Sequence, residues 1–158
     1  MFCMLDDRQR LSQSLMRRVL IALVLFVPAC GSDKATAPLN ITGTWHYSDA
    51  FSNGQLLVAC TSTATLDVTQ NGSTFTASVA SGTQSCTGPN GKTSVSLAGV
   101  TFQGGQITGP AVSFASGTCN FTGSSSGNPA NQLSGDETCS ILVSLTSYTF
   151  DGHWQASR

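Results

Sequence analysis

The chain has 158 residues, of which 40% are apolar and only 9% charged, and a formal net charge of −1. That length bounds it to one ordinary domain beside any targeting segment. From Cys30 onward three basic residues stand against six acidic ones, with no basic patch, so nucleic acid is not an expected partner.

The first element in chain order is a targeting segment. Met16-Arg17-Arg18 precedes an apolar run from Val19 to Val27, and Pro28-Ala29-Cys30 follows. A basic start, a short apolar stretch and a small residue before the cut make a secretory signal, and the run is too short to span a bilayer. Asp6 and Asp7 do not suit a basic start, so a start at Met16, with residues 1–15 an addition in front of it, is the alternative within 1–29. "VPAC" resembles the lipobox of bacterial lipoproteins, whose cysteine is acylated and begins the mature protein. The resemblance implies a signal peptide over 1–29, an acyl lipid such as palmitate on Cys30, and the membrane as a partner through that lipid. Gly31 and Ser32 resemble outer-membrane sorting more than inner-membrane retention. The expected location is therefore the cell envelope, on the outer membrane or the periplasmic face of the inner one. Residues 30–39 carry "GSDKATAPL", a small, polar, proline-containing linker that reaches about 30 Å when extended.

Residues 40–158 form the domain. Its four cysteines, Cys60, Cys86, Cys119 and Cys139, are an even number in an exported chain and imply a disulfide framework with three connectivities. Cys60–Cys86 and Cys119–Cys139 are favoured. The second pair is symmetric about Pro129 in the turn-like "SSSGNPANQ", so its members face each other in a hairpin closing there. No cysteine sits in a CxxC pair, and no metal or cofactor is expected.

The domain reads as strands throughout, because apolar residues recur at period two between turn signals. In the first strand Ile41, Gly43, Trp45 and Tyr47 point one way and Thr42, Thr44, His46 and Ser48 the other. Asn53-Gly54 predicts a two-residue hairpin that sets Tyr47 opposite Cys60 and Trp45 opposite Ser62. Asn71-Gly72 predicts a second, with Val68 opposite Phe75 and Cys60 opposite Thr83, so that the first disulfide needs an irregularity in "SGTQSC". "TSVSLAG" and "VTFQ" read as short strands whose parity shifts near Ala98-Gly99. "QITGPAVSF" reads as a strand with Pro110 as a bulge or edge feature. "TCNFTGS" and "QLSGDETCSILVSL" read as the disulfide hairpin. In the last strand, after a tight turn at Thr146-Ser147, Tyr148, Phe150, Gly152, Trp154, Ala156 and Arg158 share one face.

Eight to ten strands with short connections predict an all-β, antiparallel up-and-down barrel of about eight strands; a β-sandwich is the alternative. Closure would bring the first and last strands together, with Gly43-Thr44-Trp45 and Gly152-His153-Trp154 at the seam. Those residues resemble the calycin group. Gly43 and Trp45 match the Gly-x-Trp of the lipocalin first strand, and Arg158 matches the arginine that packs on that tryptophan. "ITGTW" also resembles the first strand of the streptavidin family. The polar Asn that serves biotin there is replaced by Tyr47, so biotin binding does not carry over.

A lipocalin-like barrel implies a small apolar ligand among the inward aromatics, and the candidate residues are Trp45, Tyr47, Phe75, Tyr148, Phe150 and Trp154. The alternative is a protein-interaction or protease-inhibitor-like module with a filled core and functional loops, the candidate loops being "SGTQSCTGPNGK" and "SSSGNPANQ". No enzyme is expected. There is no GxSxG elbow. Asp136 and Glu137 are adjacent on a strand and so face opposite ways, and Asp67 and Asp151 fall on polar faces. His46 and His153 lie on outer faces with Asp49 and Asp151 around them, too few ligands for a metal site. The domain is expected to be a monomer.

Overall fold

The computed structural model describes residues 39–127 and 130–158. The signal segment, Cys30 and the linker up to residue 38 lie outside the described residues. Nine strands follow one another: β1 Gly43–Asn53, β2 Val58–Asn71, β3 Thr74–Gly88, β4 Gly91–Ser96, β5 Thr101–Thr108, β6 Ala111–Ser116, β7 Cys119–Ser126, β8 Gln132–Val143 and β9 Thr146–Ser157. Among the described residues there is no helix.

Every neighbouring pair is antiparallel, β1 pairs with both β2 and β9, and β2 pairs with β3, so the sheet closes on itself. β4 and β5 both lie along β3, against Thr83–Gly88 and Thr74–Ser78, and act as one strand broken at Leu97–Val100. The ring therefore has eight positions: a closed up-and-down barrel, not a sandwich. Apolar side chains fill it and hydroxyl-rich faces meet solvent, the reverse of a barrel that faces lipid.

Alternation placed the faces correctly, but turn chemistry misplaced the partners. The β1–β2 turn is the four-residue Gly54–Leu57, so Tyr47 pairs with Ala64 and Trp45 with Leu66. Asn53 does not turn; it is buried, its Nδ2 donating to Thr149 O at 2.6 Å and its Oδ1 accepting from Leu56 N at 2.8 Å. The β2–β3 turn is Gly72-Ser73, which sets Val68 opposite Ala77, and a bulge at Ala80 adds one residue more. Together these bring Cys60 opposite Cys86; the irregularity falls just before "SGTQSC", not within it.

"VTFQ" and "QIT" are one strand, β5, carried across an irregularity at Gly104-Gly105. Gly109-Pro110 is the β5–β6 turn, not a strand interior. Ser144-Leu145, both at positive φ (47° and 70°), make the β8–β9 turn, two residues before the predicted one.

The two Gly-x-Trp segments do not meet side by side. β1 and β9 pair, but Trp154 stands opposite Asp49, four residues along β1 from Trp45. Each tryptophan has its own seat. Trp45 is buried beside Ile41, to whose carbonyl its Nε1 donates at 2.8 Å. Trp154 lies across the facing pair Gly123 and Gly135 and donates to Asp136 O at 3.1 Å and Thr122 O at 3.3 Å. A Cβ on Gly123 would come within 2.7 Å of the indole, so glycine there is a matter of space.

The barrel has two unlike ends. At the entry end, where the chain comes in at Leu39, Gln70 accepts from Ile41 N and donates to Leu39 O, sealing the mouth. At the other end the Cys60–Cys86 and Cys119–Cys139 disulfides pack with Phe51 and Phe150.

Candidate functional site

The barrel interior contains two voids of different character. The first lies among Ile41, Trp45, Tyr47, Phe75, Phe114 and Trp154 and amounts to about 20 Å³. Phe102, Phe114 and Phe121 pack on one another there, with Phe114 and Phe121 stacked at 4.6 Å. Four of the six candidate ligand residues, Trp45, Tyr47, Phe75 and Trp154, line this space. Phe150 packs instead against Phe51 in the disulfide-end cluster, and Tyr148 is half-buried at its edge. The six are not gathered around one cavity. A drug-sized ligand needs roughly 300 Å³ or more, so the aromatic half of the barrel is a packed core.

The second void, about 90 Å³, separates that core from the disulfides. Its polar lining comes from Tyr47 and Asp49 of β1, Ser62 of β2, Gln84 of β3, Ser116 of β6 and Glu137 of β8; Val79, Leu97, Val100, Phe102 and Phe121 supply the apolar walls. Strand parity puts each polar group there. Asp49 continues the inward series Trp45, Tyr47; Ser62 lies between the inward Cys60 and Ala64; Glu137 lies two residues before the inward Cys139. Leu97 and Val100 border the void where β4 and β5 part, and the outer edge of β4 has no strand beside it. The connecting segment stays bonded to β3 there, Val79 N donating to Val100 O at 2.8 Å and Leu97 N to Gly82 O at 3.0 Å.

The electrostatics are unusual for an interior. Ser62 and Glu137 are each only 2% exposed. The Tyr47 hydroxyl donates to Asp49 Oδ2 at 2.8 Å. Asp49 Oδ1 and Glu137 Oε1 are buried and accept no hydrogen bond from the described residues. Burial, and then the Asp49 charge, push the Glu137 carboxyl up to about 8. Burial, followed by the charge and hydrogen bond of Asp49, pushes the Tyr47 hydroxyl far above its ordinary range, so it stays a neutral donor. Near neutral pH the site therefore holds one proton on Glu137, beside the unpaired Asp49 Oδ1.

Two sequence expectations need correcting here. Asp49, expected beside the outer histidines, faces inward. Convergent acids were not expected; Asp49 and Glu137 converge. The odd-number parity that runs through Leu133 and Cys139 was the signal that could have found Glu137. The cavity is smaller than the roughly 150 Å³ that accepts benzene, so a sugar ring for paired-carboxylate hydrolysis does not fit.

The outer face carries no such convergence. His46 pairs with Ser157 and His153 with Ala50, about 13 Å apart along β1. His153 Nδ1 instead lies 2.6 Å from Asp136 Oδ1, and Asp151 accepts from Thr138 at 3.2 Å. A shallow concavity of about 580 Å³ runs across the outside past His46, Ser48, Thr63, Ser81 and Gln155, all outward on their strands.

The candidate loops are also redistributed. "SGTQSCTGPNGK" is mostly the β3 and β4 arms, with its turn at Pro89-Asn90, and of "SSSGNPANQ" the described Ala130 lies at the entry end, its carbonyl accepting from Arg158. The projecting segment is the β8–β9 hairpin. Beyond Cys119–Cys139 it has left β7 behind, and it exposes Ile141, Leu142, Val143 and Leu145.

No protein-family model and no curated protein matches the chain. Among solved structures it is similar to the siderocalin Ex-FABP, described as functioning through dual ligand specificities. The identity is 12% and the TM-score 0.31, over 75% of this chain and 69% of that one. The barrel assignment rests on the closed strand pairing.

Proposed function

We propose that this chain is a lipocalin-like binding protein of the cell envelope, tethered through a lipid on Cys30, which takes a small ligand at the disulfide end of its barrel. The ligand places a polar group in the Tyr47–Asp49–Glu137 cavity and leaves any larger apolar part against the hairpins outside. The observation that carries this reading is the pair of buried carboxyl oxygens without a partner among the described residues, in the lining of a cavity bordered by the junction of β4 and β5. A buried acceptor left unpaired costs about 1–3 kcal/mol, more for charged groups, and a ligand that donates to it recovers that loss. This reading moves the ligand from the packed aromatic core to the space beside the acids.

The test is a nuclear magnetic resonance titration of the full chain in non-ionic detergent with small amine, alcohol and carboxylate probes. Saturable shifts at the amides of Tyr47, Asp49, Ser62 and Glu137 support an internal site. Shifts confined to the outer face, or none, overturn it. The tether has its own test: labelled palmitate is incorporated by the wild type and not by Cys30→Ser.

A second reading is a protein-interaction module that docks through the β8–β9 hairpin. Its support is the exposed run Ile141–Val143 with Leu145 at the tip, 93% exposed.

A further inference from the structure

The cavity beneath the disulfides has a chemistry that narrows what it accepts. Its lining carries two acidic side chains and no cationic one. An anion would meet the Asp49 charge, and a second one once Glu137 loses its proton. A divalent metal wants a larger oxygen cage, six to eight ligands for calcium, and no group of three metal-ligating side chains occurs among the described residues. An ammonium group has three donors and no acceptor. Three of the cavity's lining residues offer oxygens: Asp49 Oδ1 and Glu137 Oε1, without a partner among the described residues, and the Ser62 hydroxyl, to which Gln84 donates at 3.4 Å, with Glu137 and Ser62 each 2% exposed. Beyond these acceptors the walls are Leu97, Val100, Phe102 and Phe121, and aromatic faces also favour a cation.

We propose that this cavity binds a primary ammonium group on a short apolar body, with the charge held between Asp49 and Glu137 and the body against the apolar walls. The proposal rests on the reading that this end of the barrel is the ligand site, and it adds the ligand's class. The independent mark of a built site is Glu137 itself, an almost fully buried acid whose free oxygen points into the cavity.

Binding is then linked to a proton. The titratable groups lining the cavity are Tyr47 and Asp49 from β1 and Glu137 from β8. β2, β3 and β6 contribute Ser62, Gln84 and Ser116, while Cys119 of β7 and Cys139 of β8 are joined in a disulfide. Burial and Asp49 hold Glu137 protonated up to about pH 8, so an entering cation displaces that proton. Affinity therefore rises about tenfold from pH 6 to pH 7 and levels off above pH 8.

The experiment is a titration of the full chain in non-ionic detergent with propylammonium chloride, followed at the amides of Asp49, Ser62 and Glu137. Propanol, sodium propionate and potassium chloride serve as matched probes. The expected result is saturable shifts with propylammonium alone, about tenfold tighter at pH 7 than at pH 6. In Glu137→Gln, which keeps the shape of the protonated acid, binding weakens at least tenfold and loses its pH dependence. The pH series on the wild type stands whether or not that variant folds. If propanol binds as well as propylammonium, the internal site survives and the cation proposal falls. Equal shifts from potassium chloride overturn it in favour of a simple ion. If no probe moves these amides, the cavity holds water only and both readings fall.

Discussion

Arg158, at the end of β9, lies over Trp45 on β1 with its guanidinium carbon 4.8 Å from the ring centroid. The same guanidinium donates to the carbonyls of Asn40 at 3.1 Å, Thr42 at 2.8 Å and Ala130 at 3.1 Å. One side chain thus ties the entry segment, the β7–β8 connection and the buried tryptophan together. Arg158→Ala should lower stability by about 2 kcal/mol, a figure reduced for the solvent exposure of the contacts. Arg158→Lys should recover less than half, because an ammonium cannot fork toward three carbonyls while lying flat on a ring. Urea unfolding followed by tryptophan fluorescence measures both; equal midpoints for wild type and Arg158→Ala would remove the clasp from the account.

The Cys119–Cys139 bond closes a loop of sequence separation 20 at the base of the β7–β8 pair. By loop entropy, replacing both cysteines with alanine should cost about 3 kcal/mol. Cys60–Cys86, at separation 26, should cost a similar amount. Both bonds pack in the one cluster with Phe51 and Phe150, so the two losses should not add. Denaturant curves for each double alanine variant and the quadruple one decide this, and simple additivity would mean that the bonds act independently.

Glu137 makes stability depend on pH in a direction opposite to an ordinary paired carboxylate. Its value is raised from 4.5 to about 8 in the folded protein, by burial first and Asp49 second. The folded state therefore holds the proton more tightly than the unfolded chain. The resulting stabilisation is complete below about pH 4.5 and declines as pH rises toward 8, with a slope of up to about 1.4 kcal/mol per pH unit. Glu137→Gln should flatten that decline and be the more stable protein at pH 8. The check is the urea midpoint of both proteins between pH 5 and pH 8. Parallel curves would show that Glu137 is ionised inside the barrel at neutral pH.

The reasons for the sequence's successes and failures are physical. Side chains alternate with period two, so a hairpin slipped by two or four residues keeps every inside residue inside. That is why the inward set Trp45, Tyr47, Phe75 and Trp154 is readable although the predicted partners are displaced. Turn identity was less readable, because the Asn53 amide serves the β9 carbonyl of Thr149 and leaves the reversal to Gly54–Leu57. The acid site was hidden by a chemical expectation. Glu137 and Asp49 have the parity of core residues but the composition of surface ones, and a rule that sends charge outward overrides the alternation that places them.

The tip of the β8–β9 hairpin sets a conformational preference against a surface one. Ser144 and Leu145 both sit in the left-handed region, at φ 47° and 70°, where a non-glycine residue is strained. Leu145 is also 93% exposed, so no burial offsets that strain. Leu145→Gly should therefore stabilise the domain by about 0.5–1 kcal/mol, the relief of strain being partly offset by the greater freedom of glycine in the unfolded chain. Leu142→Asp, at an exposed position on the same hairpin, should leave stability within about 0.5 kcal/mol. The two variants separate architecture from interaction. If both proteins fold as expected and self-association or capture of a defined protein partner is weakened, the apolar tip is a contact surface held at a cost in stability. If neither variant changes association, Leu145 is only a strained turn residue, and the acid cavity stands alone as the binding feature of this end.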